Sequence, residues 1–316
     1  MSKQRYAIIG TGALGGLYGG MLARSGFDVH FLVHRDYDHV CKHGLTIESH
    51  LGDFHLPHVN AHSSAKTMPA CDVTIVGLKT TNNHLLPELL PTPTRDGGVV
   101  LVLQNGLDVE ADAAEVVGYD RVLGGCCFLC SNKVGPGHIR HLDYGAIILG
   151  EYRRGGDPSH PPGESERAAR IASEMVTAGI DAKTTGDLLA ARWRKLMWNI
   201  PFNGLSVVLD ASTKELVDDP DSLELAQAVM REVHDAARAQ GVAVTESMIS
   251  KTIEVTRRMV PYDASMRLDF RYRRPMEVEA IFGNPLRAAN SAGANMPSVA
   301  TLYRELKFLD ARNLSI

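Results

Sequence analysis

The chain has 316 residues, which is about twice the usual domain size and predicts two domains. Apolar residues make up 44% and charged residues 22%, so the composition is that of a folded globular protein and excludes a disordered or collagen-like chain. The net charge is -4, which excludes a global positive field for nucleic acid or an anionic membrane. An anionic ligand therefore has to be held locally.

The location of the protein is predicted from its termini, apolar runs and cysteines. The longest apolar runs are far shorter than the roughly 20 residues of a membrane span. Residues 1–5 lead into a strand-like run without an apolar signal region, so we expect a cytoplasmic protein. Five cysteines, an odd number, predict free thiols. Cys127 and Cys130 have C-x-x-C spacing without a second ligand pair, so we predict no metal site.

Strand-like runs alternate with helical patterns in the first half of the chain. The predicted strands are residues 6–9, 29–33, 73–77 and 99–103, with a helix over 13–25. This alternation predicts an α/β domain with a Rossmann-type parallel sheet, which we assign to residues 1–186. Residues 121–150 predict antiparallel strands that complete the sheet, broken at Gly135-Pro136-Gly137 and at Asp143-Tyr144-Gly145.

Helical periodicity replaces the strand pattern after residue 186. The helical segments lie near residues 187–210, 221–240, 245–259, 262–290 and 297–311. The second domain, residues 187–316, is therefore predicted to be all-helical.

A glycine-rich turn follows the first predicted strand and begins the first helix. It consists of Gly10, Thr11, Gly12, Ala13, Leu14 and Gly15, with G-x-G-x-x-G spacing. Such a turn lets a pyrophosphate approach the backbone, and the helix N-terminus supplies N–H groups and a positive dipole end. In this strand-to-helix context the turn predicts dinucleotide binding.

The end of the second strand indicates which dinucleotide is bound. His34 and Arg35 stand about 20 residues after the glycines, where an enzyme that prefers NAD usually carries an acid for the ribose hydroxyl. A guanidinium pairs with a 2′-phosphate, so Arg35 favours NADP. Asp36 is predicted to be the N-cap of the next helix instead.

Two further polar residues follow parallel strands. Lys79 comes after the strand at 73–77 and Asn105 after the strand at 99–103. Ligands bind at the carboxyl ends of such strands, so both residues are candidates for cofactor contact. A solvated lysine at a helix start and a simple Asn-Gly turn are the alternatives.

A polar stripe lies on an otherwise apolar helix. Lys195, Asn199 and Asn203 are spaced at i, i+4 and i+8, which places them on one helical face. The helix also contains Pro201 and both tryptophans of the chain. A buried lysine with two amides needs partners, so this face is either a ligand site or an interdomain polar network.

These features together resemble the ketopantoate reductase (2-dehydropantoate 2-reductase) family. The residues that carry the resemblance are the glycine turn, Leu78-Lys79, Gln104-Asn105-Gly106, Trp193-Arg194-Lys195-Leu196 with Asn199 and Asn203, Ser265-Met266, and Arg274-Pro275-Met276-Glu277. The resemblance implies a helical second domain similar to that of 6-phosphogluconate dehydrogenase. It also implies NADPH-dependent reduction of 2-dehydropantoate to pantoate.

The resemblance further implies a role for each matching residue. The glycine turn, Arg35, Lys79 and Asn105 serve NADPH, and Lys195 is the general acid. Asn105, Asn199, Asn203 and Ser265 hold the substrate. Glu277 completes the catalytic site, where it pairs with Lys195 or accepts a hydrogen bond from the substrate or the cofactor ribose.

The sequence departs from the family pattern near this glutamate. It reads Met276-Glu277-Val278-Glu279 with Phe282-Gly283, where the family commonly has Thr-Glu-Ile-Asp and an Asn-Gly. These differences point to a change of pocket shape around Met276, Glu279 and Phe282. The alternatives are therefore a reductase of another small 2-oxo acid or imine and a non-catalytic NADP-binding sensor. A homodimer is among the assemblies that we expect, and no nucleic-acid or membrane partner is expected.

Overall fold

The computed structural model describes residues 3–153, 163, 165–259 and 263–315. The chain divides into two compact units, the first comprising Met1–Gln104 and Val109–Leu188 and the second Asn105–Asp108 and Leu189–Ile316. The predicted domain boundary after residue 186 stays a prediction, because compactness does not by itself show independent folding. Among the described residues, no helix combines the length and apolar character of a membrane span.

The described part of the first unit contains ten strands in one sheet. They are β1 (Arg5–Ile9), β2 (Asp28–Leu32), β3 (Leu45–Ser49), β4 (Phe54–Leu56), β5 (Asn60–His62), β6 (Val73–Val76), β7 (Val99–Val102), β8 (Val122–Gly135), β9 (His138–Glu151) and β10 (Ala182–Thr184). The order is β4-β3-β9-β8-β7-β6-β1-β2-β5, and β10 pairs with β9. The adjacent pairs β8–β7, β7–β6, β6–β1, β1–β2 and β2–β5 are all parallel. This arrangement confirms the predicted Rossmann-type sheet.

Five α-helices accompany this sheet in the described residues. They are α1 (Ala13–Arg24), α2 (Tyr37–His43), α3 (Leu86–Leu89), α4 (Ala111–Val117) and α5 (Glu166–Thr177). Helix α1 packs closely on the sheet because Gly19 has no side chain: a Cβ there would lie 2.6 Å from Phe31 Cε1 and 2.8 Å from Ile8 Cγ1. The glycines of α1 thus bring the first helix close to the strands beside the glycine-rich turn.

The predicted antiparallel strands are present as β8 and β9, but one predicted break is wrong. Gly135-Pro136-Gly137 does form the turn between the two strands. Asp143-Tyr144-Gly145 instead lies within β9 as a bulge, where the pairing shifts between Phe128 and Leu129 of β8. Tyr144 and Gly145 have positive φ values of 60° and 126°. These residues, which are typical of turns, here accommodate the extra residue of the bulge without ending the strand.

The described part of the second unit is helical. Its helices are α6 (Leu188–Val208, whose first residue falls in the first unit), α7 (Thr213–Asp218), α8 (Pro220–Ala239), α9 (Ser247–Arg258), α10 (Ser265–Arg271), α11 (Asn284–Ser291) and α12 (Pro297–Leu314). Large buried side chains, including Trp193, Phe202 and Phe282, form its hydrophobic core. The all-helical prediction for this part of the chain is confirmed.

The single helical segment expected over residues 262–290 is wrong. Helix α10 ends where Arg273 adopts a positive φ of 52°, and the Arg274 N–H donates to Asp269 O at 2.8 Å. Pro275 has no N–H and keeps the helix from resuming at once. A five-residue π-helical turn, Glu279–Gly283, then leads into α11. Residue 262, the first of the predicted segment, lies outside the described residues.

Candidate functional site

The glycine-rich turn has the geometry of a backbone cradle. Gly10 has a φ of 100°, and a Cβ there would lie 2.6 Å from Leu78 N. A Cβ at Gly15 would lie 2.2 Å from Gly10 O. Packing therefore requires both of these glycines. A Cβ at Gly12 would meet no heavy atom within 4 Å, so the protein itself does not require glycine at this position.

The open space at Gly12 fits a dinucleotide phosphate. Gly12 is the N-cap of α1, whose first turn contains no acidic residue to offset the positive dipole end. The N–H groups of Ala13, Leu14 and Gly15 begin the helix there, which is the arrangement that binds phosphate. Thr11 Oγ1 donates to Leu32 O at 2.9 Å and ties the turn to the end of β2.

Arg35 lies between β2 and α2 with its side chain exposed. The neighbouring Asp36 occupies the predicted N-cap position of α2, but its side chain accepts no hydrogen bond from the described first turn of that helix. Asp36 Oδ2 instead accepts from Gly137 N at 2.9 Å and pairs with the Lys133 ammonium. Burial opposes ionisation of Asp36, but these two contacts outweigh it and lower its pKa. The side chain therefore anchors the loop that carries Arg35 to the β8–β9 turn.

Lys79 stands at the start of a 3₁₀ turn, Thr80–Leu85, after β6. A buried residue that sequence reasoning did not assign lies close to it: Gln104 Nε2 donates to Leu78 O at 2.9 Å and to Asn83 Oδ1 at 2.6 Å. The Gln104-Asn105-Gly106 triplet was a signal for Gln104, whereas nothing in the sequence singles out Asn83.

Helix α6 presents the predicted polar stripe in the second unit. Lys195 is 8% exposed, Asn199 5% and Asn203 2%, and the helix continues through Pro201. Both indoles on α6 donate to polar partners: Trp193 Nε1 to Gln240 Oε1 at 3.0 Å and Trp198 Nε1 to Thr256 Oγ1 at 3.1 Å. These two bonds fix the rotation of α6 and hence the direction of the stripe.

Lys195 and Asn105 are brought together by the fold. Lys195 Nζ donates to Asn105 Oδ1 at 2.7 Å, across 90 positions of sequence. An ammonium buried this far needs acceptors at short range, and the Asn105 oxygen supplies one. The pair orients the lysine head group within the second unit.

The segment that carries Asn105 is held by backbone contacts. Leu107 N donates to Ala280 O at 3.0 Å, and Asn284 Nδ2 donates to Leu107 O at 2.6 Å. Gly106 has a φ of 117°, and a Cβ there would lie 2.5 Å from Ala280 O. Glycine at residue 106 is thus required both by its backbone conformation and by the close approach to the π-helical turn.

Asn203 and Ser265 are also neighbours. Asn203 Oδ1 accepts from Ser265 Oγ at 3.3 Å and from Met266 N at 3.2 Å. The N-cap of α10 is Ala264, which has no capping oxygen, so the Asn203 side chain supplies the cap from α6. The Asn203 oxygen therefore positions Ser265 and the start of α10.

Glu277 lies two residues before the π-helical turn and is 3% exposed. The family departures around it fall in two different environments. Met276 and Phe282 are buried in the hydrophobic core. Glu279 is on the surface, where it accepts from Tyr303 Oη at 2.6 Å and pairs with Arg287 and Lys307, each at 3.2 Å. The three departures therefore divide into two core residues and one surface carboxylate that is held by its own partners.

Comparison with known proteins matches most of the chain. A profile of the family described as "Ketopantoate reductase PanE/ApbA" matches residues 6–154, and the profile of its C-terminal part matches residues 187–310. A 2-dehydropantoate 2-reductase of a Nostoc species is 51% identical over 313 residues, which are 99% of this chain and 97% of that one. A 2-dehydropantoate 2-reductase of Halobacterium salinarum is 28% identical and covers 94% of this chain and 96% of its own.

Solved structures agree with these matches. The crystal structure of 2-dehydropantoate 2-reductase from Geobacter metallireducens is 41% identical, with a TM-score of 0.91 over 96% of this chain and 99% of that chain. A ternary structure of D-mandelate dehydrogenase with NADH and anilino(oxo)acetate has a TM-score of 0.86 at 19% identity, over 98% of this chain and 99% of that one. At that identity the likeness shows the fold alone.

Proposed function

Because the chain belongs to the ketopantoate reductase family, we propose that it reduces 2-dehydropantoate to pantoate with NADPH, a step in pantothenate biosynthesis. The protein is then an NADP-dependent oxidoreductase. The observation that carries the proposal is the bond of 2.7 Å between the buried Lys195 and Asn105, with Lys195 on the same face of α6 as the buried Asn199 and Asn203. Cofactor binding alone does not require this buried polar set.

The first unit provides the residues for the cofactor. The space at Gly12, the start of α1 and the exposed Arg35 suit a pyrophosphate and a 2′-phosphate, and Lys79 adds a positive charge to the same unit. NADPH, when bound, supplies the hydride for the ketone carbon. We assign Gly10 to Gly15, Arg35 and Lys79 to its binding.

The second unit provides the residues for the substrate and the proton. Reduction of a ketone creates negative charge on its oxygen, and we assign to Lys195 the donation of a proton to that oxygen. Asn105 holds the Lys195 ammonium in one direction, so the proton donor does not need to reorient during the reaction. Asn199, Asn203 and Ser265 orient the carboxylate and hydroxyl oxygens of the substrate by neutral hydrogen bonds.

Glu277 is the second ionisable residue of this set. As a buried carboxylate it accepts hydrogen bonds, either from Lys195 or from a hydroxyl of the substrate or ribose. Either role keeps the polar face of the second unit satisfied when the substrate binds. We assign it to the catalytic site together with Lys195.

NADPH oxidation by the purified protein tests the function. The loss of reduced nicotinamide is followed by absorbance with 2-dehydropantoate, with a panel of other 2-oxo acids and imines, and with NADH in place of NADPH. The proposal expects the highest kcat/KM for 2-dehydropantoate with NADPH. Higher kcat/KM for another panel member would replace the substrate and keep the reductase. Tight NADPH binding without any turnover would instead favour the non-catalytic sensor.

We further propose that the protein works in the cytoplasm as a homodimer. The five free cysteines support a reducing compartment. A solved ketopantoate reductase of Staphylococcus aureus, 18% identical to this chain, is described as dimeric. Size-exclusion chromatography with light scattering measures the mass in solution, and a mass of one chain at micromolar concentration would contradict the dimer.

A further inference from the structure

A chain of side-chain hydrogen bonds supports the turn that carries Lys79. Gln104 Nε2 donates to Leu78 O at 2.9 Å and to Asn83 Oδ1 at 2.6 Å, and Asn83 Nδ2 donates to Asp112 Oδ2 at 2.6 Å. These contacts join three places in the first unit: the turn after β6, the end of β7 and the first turn of α4. Lys79 lies between Leu78 and Asn83, so both flanks of its turn are tied to the same glutamine.

The direction of this chain is fixed by its two ends. Leu78 O is a backbone carbonyl and can only accept, so the Gln104 atom that faces it must be the NH₂ group. The Asn83 atom that faces this NH₂ group must then be the oxygen. The remaining Asn83 atom is its NH₂ group, which faces the Asp112 carboxylate, the second acceptor. Asn83 therefore has to accept on one side and donate on the other.

The turn tied down in this way packs against the glycine-rich turn. A Cβ at Gly10 would lie 2.6 Å from Leu78 N and 2.9 Å from Leu78 Cα. A Cβ at Gly77 would lie 3.4 Å from Gly15 N. This close packing places the Lys79 turn beside the cradle at the start of α1, and a displacement of the backbone at Leu78 would move Lys79 away from it.

We propose that Asn83 is a positioning residue for the cofactor: through Gln104 and Asp112 it holds the Lys79 turn in the conformation that binds NADPH. The proposal rests on the proposed function, because it assigns the purpose of the Lys79 turn to cofactor binding. Asn83 itself does not need to touch the cofactor. Its substitution acts on NADPH affinity by releasing Lys79.

Exchange of the donor and the acceptor tests the geometry. Asn83→Ala removes both bonds, and Asn83→Asp places a carboxylate opposite Asp112. The double variant Asn83→Asp with Asp112→Asn restores a donor and an acceptor at each contact. Its net charge is the same as that of the wild type. Glu115→Ala, an exposed side chain on α4 three residues beyond Asp112, is the matched control.

NADPH affinity is measured by calorimetric titration on the folded full-length variants, with thermal melting to check that each one folds. Asn83→Ala and Asn83→Asp are each expected to weaken NADPH binding about fivefold to tenfold, because the release of Lys79 costs about as much binding free energy as one hydrogen bond. The double variant is expected to return to within about twofold of the wild type, since both contacts reform. Glu115→Ala is expected to match the wild type.

A second set of variants separates positioning from a general structural role. If Asn83 acts through Lys79, Asn83→Ala added to Lys79→Ala will weaken NADPH binding no further. An equal further weakening in the Lys79→Ala background would overturn the proposal, as would wild-type affinity in Asn83→Ala or no recovery in the double variant. A wild-type protein that does not bind NADPH at all would overturn the proposed function as well, and this outcome is distinct from the other three.

Discussion

The two compact units hold their proposed site residues by different means. In the first unit the cradle at Gly10 to Gly15 is made of backbone, and glycines there allow close approach between turns. In the second unit the site is made of buried side chains on α6 that contact distant residues: Lys195 bonds Asn105, and Asn203 bonds Ser265. A backbone site tolerates changes in most of its side chains, whereas a side-chain site loses function with one substitution. Single substitutions of side chains should therefore cost far more in the second unit.

The largest effect is expected for Lys195→Ala. The loss of a general acid lowers kcat by roughly 10² to 10⁴, and NADPH affinity should change much less because the glycine turn lies in the first unit. Steady-state kinetics with 2-dehydropantoate and titration with NADPH measure the two quantities. Lys214→Ala, which removes an exposed lysine paired with Asp218, is the control and should keep the wild-type kcat. Near-wild-type turnover by Lys195→Ala would remove this residue from the acid role.

Gly106→Ala examines a point in the second unit where backbone matters as much as side chains. Residue 106 has a φ of 117°, and its Cβ would lie 2.5 Å from Ala280 O, so the variant combines backbone strain with a clash. We expect a loss of unfolding free energy of about 3 kcal/mol, with kcat reduced because Asn105 is displaced.

Gly97→Ala is the matched control for that variant. Gly97 also has a positive φ, 86°, but a Cβ there would meet nothing within 4 Å. Its cost should be backbone strain alone, roughly 1 kcal/mol. Equal losses in urea unfolding for the two variants would mean that the contact with Ala280 contributes nothing.

The elements that the sequence predicts depend on neighbouring residues, whereas the elements that it misses depend on partners far along the chain. The central parallel strands, the glycine turn and the α6 stripe follow from local period and spacing, so they were predicted from the residues alone. The short strands β4 and β5 were missed, because Phe54–Leu56 and Asn60–His62 have only three residues each and contain polar side chains. Their pairing depends on partners elsewhere in the sheet.

The contacts between distant residues were not predictable in the same way. Residues 105–108 come soon after β7 in the chain, yet they belong to the second unit, where Leu107 bonds Ala280 and Asn284. The role of Asn203 as the cap of α10 requires knowing that Ala264 and α6 meet in space. Spacing on a helix predicts which residues share a face, but it does not identify their partners.

Asn203→Ala should have an intermediate effect on stability and a selective effect on kinetics. The loss of the cap on α10 costs about 1 kcal/mol in unfolding free energy, and displacement of Ser265 should raise KM for the 2-oxo acid more than it lowers kcat. Asn203→Asp keeps an oxygen that accepts from Met266 N, so its thermal stability should lie closer to the wild type. If both variants were equally destabilised, the capping role of the Asn203 oxygen would be excluded.

The smallest effect is expected for a side chain of the first unit, Asp36, which pairs with Lys133. Its pKa in the folded protein is lowered below the ordinary value of 3.8, because the bonds from Lys133 and Gly137 outweigh the opposing effect of burial. The folded protein therefore binds fewer protons at this group than the unfolded chain. The resulting stability is present above the unfolded pKa and is lost as the pH falls through the folded pKa.

Asp36→Asn should thus cost about 1 kcal/mol or less near pH 7 and progressively less below pH 4. Urea unfolding of the wild type, Asp36→Asn, Lys133→Ala and the double variant at several pH values measures this coupling. A difference between the wild type and Asp36→Asn that stayed constant down to pH 2 would show that the Asp36 charge does not stabilise the loop that carries Arg35.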